Sequence, residues 1–163
     1  MSAQTSCGAL SAKELASTPP PVVVVPISRW NRIAKRALRF AIRISPDVRA
    51  VQVLGADVET ENLGPRWDEL VERPLRAAAL PVPPLDTVPS GYRRLFTPLL
   101  AYIARIGDQY PDRDVAVVVP ELIERRWYHA LLRTHRASVL KTLLLLRGGP
   151  KVIIINTPWH LAD

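Results

Sequence analysis

The 163-residue chain has a single cysteine, Cys7, and only three histidines. One thiol excludes an intrachain disulfide framework and a thiolate zinc cluster. His129 and His135 are six positions apart, which misses the four-residue spacing that sets a metal pair on one helical face. Long apolar runs are missing too: the longest, Val22 to Val25 and Leu143 to Leu146, are of core size, well short of the ~20 residues of a spanning helix. Met1 to Pro21 lacks the basic start and continuous apolar stretch of a secretory signal and reads as a disordered leader, 1–21. No Gly-x-Ser-x-Gly elbow, Gly-x-Gly-x-x-Gly turn or phosphate loop ending in Gly-Lys-Ser/Thr occurs. The expectation is therefore a protein that is not an enzyme, with no catalytic residues, no metal and no resident cofactor.

What is present in excess is positive charge. Twenty-two Lys and Arg against 15 Asp and Glu give a formal charge of +7 and a sequence pI near 10.2. Such a chain is drawn to polyanions: nucleic acid, nucleotides or an acidic membrane face. Reduced, sparse cysteine fits the cytoplasm. The length suits one domain with a real core.

Strands and helices alternate along the chain. Val22-Val23-Val24-Val25-Pro26 has the β-branched run of a strand covered on both faces. Arg29 to Ile44 reads as a helix, with Trp30, Ile33, Ala37, Ala41 and Ile44 on one face and Arg29, Arg32, Arg36, Arg39 and Arg43 on another. Ser45-Pro46 stops it. A second strand, Val48 to Leu54, leads through Gly55 to an acidic loop at Asp57, Glu59 and Glu61.

Pro65 to Ala79 reads as a weaker helix that Pro74 should kink or divide. In Leu80 to Val88, three prolines confine any strand to an edge or an irregular path. Tyr92 to Ile106 is a clearer helix. A strand at Val115 to Val119, a long helix from Arg125 to Arg147 and a strand at Lys151 to Ile155 complete the order. The pattern predicts an α/β fold, a doubly wound, mostly parallel five-stranded sheet, over 22–161. In such sheets ligands bind beyond the carboxyl ends of the central strands, here the loops after Val25 and Val119.

Two basic segments adjoin those loops. In a helix starting at Arg125, about 100° per residue brings Arg125, Arg126, His129, Arg133 and Arg136 within about a third of the circumference. Guanidinium forks match phosphate oxygens, and Trp127 or Tyr128 could stack on a base. Ser28, Arg29 and Arg32 open the first helix, where Ser28 would cap the N-terminus and an anion would be welcome. The residues by themselves leave open whether these stripes hold a ligand or are solvated faces.

The same residues carry a resemblance. Val24-Val25-Pro26-Ile27-Ser28 before a basic helix, Tyr92-Arg93-Arg94-Leu95 with Pro98-Leu99-Leu100-Ala101-Tyr102-Ile103, Val118-Val119-Pro120-Glu121, Arg126-Trp127-Tyr128-His129-Ala130-Leu131-Leu132 and Pro158-Trp159-His160-Leu161 look like the cytosolic C-terminal domain of APC-superfamily permeases. The KimA-type potassium importers and related amino acid permeases are the group it most resembles. That likeness spans Val22 to Leu161.

It implies a universal-stress-protein-like fold, a homodimer, a membrane transporter as partner, and cyclic di-AMP as inhibitory ligand. The glycine loop that holds phosphates in nucleotide-binding universal stress proteins is not matched, because no glycine lies between Gly107 and Gly148. A triphosphate held by backbone is then not expected, and phosphates would be held by arginine side chains; it is the resemblance that puts cyclic di-AMP ahead of ATP or AMP. Two further readings stay open: a protein- or membrane-docking module without a small ligand, and general nucleic-acid binding, for which the charge is present but no reading motif is.

Overall fold

The computed structural model describes residues 9, 11–55, 61–90, 96–120 and 152–157. Among them, five strands form one all-parallel sheet in the order β3-β2-β1-β4-β5: β1 Val22–Pro26, β2 Val48–Gly55, β3 Leu85–Ser90, β4 Val115–Pro120 and β5 Val152–Thr157. The expected doubly wound α/β architecture is thus the one the chain adopts. Val22, Val23, Val24 and Val25 are all fully buried. Only a strand in the middle of a sheet with both faces covered can sustain such a run without alternating polar residues.

The two faces have separate cores. Val23, Val25, Val48, Ala50, Ala116 and Val118 pack with Ala34, Ala37, Leu38 and Ala41 of helix α2 (Arg32–Ile44) and with Leu63, Trp67 and Val71. Val22, Val24, Val51, Val115 and Val117 pack instead against Leu99, Tyr102, Ile103 and Ile106 of helix α4 (Phe96–Gln109). Ser45 ends α2 as expected, and its hydroxyl donates to the Pro21 carbonyl at 2.6 Å while accepting from the Asp47 amide at 3.1 Å. The helix end is thereby fastened to the entrance of β1.

Two predicted elements differ in detail. The single helix expected over Pro65 to Ala79 is three short pieces: a 3₁₀ turn at Gly64–Arg66, a π turn at Asp68–Glu72 and helix α3 at Arg73–Ala77. Pro74 divides it as expected, lying in the first turn of α3, where its missing N–H needs no partner. The proline-rich segment does place a strand at the sheet edge, but β3 begins only at Leu85, after Pro81, Pro83 and Pro84. Within the expected leader, the described part holds a six-residue helix α1 (Ala12–Ser17), closed by a Ser11/Glu14 capping box and with no buried residue.

Candidate functional site

β1 and β4 are neighbours, and the chain winds away from them in opposite directions, so the topological switch point lies between their carboxyl ends. Beyond β1 the chain makes a short turn before α2. Ile27 stays buried, and its amide donates to the Val51 carbonyl at 2.9 Å. Ser28 and Arg29 are exposed, Trp30 is half-buried, and Asn31 caps the helix.

The cap is a correction to the sequence reading. Asn31, not Ser28, takes that position: its Oδ1 accepts from the amides of Ile33 at 3.0 Å and Ala34 at 2.8 Å, so α2 starts at Arg32 rather than Arg29. The shift follows from Trp30. Its ring packs edge-on against Trp67, with centroids 5.9 Å apart and planes at 82°, which holds residues 28–30 in a turn over the sheet. Asn31→Ala is expected to remove about 1 kcal/mol of stability, a fall of roughly 2–4 °C in the thermal midpoint. Asn31→Asp should hold that midpoint, and an Ala variant that melts with wild type would remove the cap from the account.

A residue the sequence reading passed over fixes this turn from below. Gln52 is fully buried in β2. Its Nε2 donates to the carbonyls of Ser28 at 3.3 Å and Glu61 at 2.8 Å, and its Oε1 accepts from the Leu63 amide at 3.0 Å. One side-chain amide thus ties together the turn after β1 and the loop after β2. The signal in the sequence is a neutral polar residue in a strand that is otherwise apolar except for Arg49.

Above that support stand Ser28, Arg29 and Arg32, all exposed and with no side-chain partner among the described residues. No acidic residue occurs between Ile27 and Ile44 to neutralise them. Arg32 is the first residue of α2; the Ile33 and Ala34 amides are already taken by the Asn31 cap, so an anion at that end would be held by the Arg29 and Arg32 side chains, helped by the positive end of the helix dipole. The other expected site residues, Arg125, Arg126, His129, Arg133 and Arg136, lie outside the described residues. No group of three His, Cys, Asp or Glu side chains placed to hold a metal occurs among the described residues.

A second polar cluster faces α4, near the amino ends of the strands, and the sequence reading did not find it. The Arg49 guanidinium donates to Tyr110 Oη at 3.2 Å and lies 3.6 Å from Asp86 Oδ2, which also accepts the Tyr102 hydroxyl. Burial, reinforced by that hydrogen bond, pushes the Tyr102 phenol far above the ordinary tyrosine range, so it stays a neutral donor. Arg113 donates to the Pro20 carbonyl at 2.8 Å, pairs with Asp47 at 2.6 Å and stacks over Tyr110. Both carboxylates face guanidinium groups, which leaves no free base or nucleophile there. The cluster joins β2, β3, the end of α4 and the entrance of β1, and its work is to hold the strands in place.

The family model of the KimA potassium transporter C-terminal domain matches residues 18–159. The chain belongs to that family. It is also similar to potassium transporter KimA of Bacillus subtilis (strain 168), 23% identical over 141 residues, a stretch that is 85% of this chain and 21% of that protein. The chain therefore spans about a fifth of the length of this relative. The family match runs from just before β1 to just after β5 and takes in both basic segments. Among the described residues, no helix is long and apolar enough to cross a membrane.

Proposed function

We propose that the chain is a non-enzymatic regulatory domain of a potassium transporter, acting on the cytoplasmic side, and that as a homodimer it binds an anionic nucleotide, cyclic di-AMP before ATP or AMP. Ser28, Arg29 and Arg32 contribute from the turn after β1, and Arg125, Arg126, His129, Arg133 and Arg136 from the segment after β4. The observation that carries this reading is the pair of exposed cations at the switch point, Arg29 and Arg32, with no side-chain partner among the described residues, in a chain of a transporter-domain family. Two arginine sets related by a two-fold axis suit a ligand with two phosphates and its own two-fold symmetry. Edge strand β5, with Ile153 and Ile154 exposed, supports pairing of copies.

Calorimetric titration tests the reading directly. Heat on adding cyclic di-AMP is expected at moderate salt; silence with cyclic di-AMP, ATP and AMP alike would end it. The double variant Arg126→Ala/Arg133→Ala should abolish the ligand's thermal stabilisation, because a ligand of the native state raises its stability by mass action. A ligand shift that survives in this variant places the phosphates elsewhere.

A further inference from the structure

Apart from Arg32, the outer face of α2 has a pattern that the switch-point site does not use. Ile33, Ala34, Ala37, Leu38 and Ala41 are buried against the sheet. On the opposite side Arg32, Lys35, Arg36, Arg39 and Arg43 are all exposed, and at about 100° per residue they fall within about 100° of arc. Lys35, Arg39 and Arg43 follow at four-residue steps, a straight row about 12 Å long at ~1.5 Å rise per residue. None of these three has a partner among the described residues, and the helix contains no acid.

Repulsion along the row Lys35, Arg39 and Arg43 is unfavourable, and the hydrophobic requirement of the helix is met on its other face, so packing of the helix does not call for this row. The shape selects the partner. A helix back is a convex ridge, without the concavity that would enclose a nucleotide, and all of its cations can touch a flat anionic surface at once. The row holds only Lys and Arg, with no Asn, Gln or aromatic to read a base or stack on one. A domain of a transporter family works within reach of a bilayer.

We infer that the exposed ridge of α2, Lys35, Arg39 and Arg43 with Arg32 at its head, is a docking surface for the anionic headgroups of a membrane. The association is electrostatic and peripheral, since the apolar side of α2 is committed to the core. It goes beyond the nucleotide reading and does not depend on it.

Co-sedimentation of the whole chain with vesicles tests the inference. Vesicles of phosphatidylcholine containing phosphatidylserine should retain the protein at about 0.1 M salt and release it as salt rises and the screening length shortens. Pure phosphatidylcholine vesicles should not retain it. The triple variant Lys35→Gln/Arg39→Gln/Arg43→Gln should bind the anionic vesicles roughly 100-fold more weakly, while Arg39→Lys/Arg43→Lys should bind as wild type does. The triple variant should melt with wild type, its substitutions being exposed, and should leave the cyclic di-AMP titration unchanged, because Ser28, Arg29 and Arg32 are untouched. That separates failure of the ridge from failure of the nucleotide reading. The inference falls if anionic vesicles do not retain the protein, if the triple variant binds them equally well, or if duplex RNA binds the ridge more tightly than they do.

Discussion

Trp67→Ala is expected to lower the thermal unfolding midpoint by roughly 6–20 °C. Trp67 is buried between the sheet and the broken segment over 64–77, joins Leu63 and Val71 in one core, meets the Trp30 ring edge-on and donates from Nε1 to the Pro83 carbonyl at 3.0 Å. Truncation removes the ring, opens a cavity and strands a carbonyl, for which about 3–5 kcal/mol is the usual loss. Trp67→Phe retains most of the ring contact and loses the hydrogen bond, so it should lose only about 1 kcal/mol. Scanning calorimetry of both variants distinguishes the two contributions. An alanine variant melting within about 2 °C of wild type would show that the 64–77 segment is held by something other than this ring.

Gln52→Leu is expected to be nearly as damaging, by about 2–4 kcal/mol, although it substitutes an apolar residue of similar size into a buried site. The Ser28 and Glu61 carbonyls lie at exposed residues and can turn to water. The Leu63 amide cannot, because Leu63 is fully buried. The loss should therefore read out as faster amide exchange around 27–31 and 61–64 while the strands stay protected.

Gln52→Glu gives the sharper diagnostic. An ionised carboxylate accepts from Leu63 but offers nothing to the two carbonyls, and burial raises its pKa above the ordinary value of about 4.3. With a raised folded pKa, the variant is most stable relative to wild type below that ordinary value and loses stability as pH rises through the folded pKa. A Gln52→Glu chain with the same pH profile as wild type would mean that the site is wetter than the geometry indicates.

The parts of the fold legible in the sequence are those decided by neighbours along the chain. The run Val22 to Val25 declares a central strand, the spacing of Ile33, Ala37 and Ala41 declares the buried side of α2, and three prolines push β3 to the edge. What was not legible depends on partners distant in sequence. Ser28 and Asn31 are equally good caps on propensity, and Trp30 meeting Trp67 decides between them. Gln52 and Arg49 look like blemishes in a strand until the Glu61–Leu63 loop and Tyr110 fold back onto them. In the candidate site, Ser28, Arg29 and Arg32 stand out in the sequence as candidates because they follow a strand at the expected switch point; the support under them does not, since a lone glutamine announces no partner.

The strand order also bears on how the molecule comes to be made. β1 is the first strand of this sheet to be synthesised and the most deeply buried, yet it is only half paired until β4 arrives far down the chain. A growing chain can complete β3-β2-β1 with α2 early, but Val22 and Val24 then stay uncovered until α4 is synthesised. Parallel pairing across such long separations is slow, and an open, all-valine strand edge is adhesive in the meantime. The valines that make the finished core rigid are thus also the stretch most in need of shelter while translation is still under way.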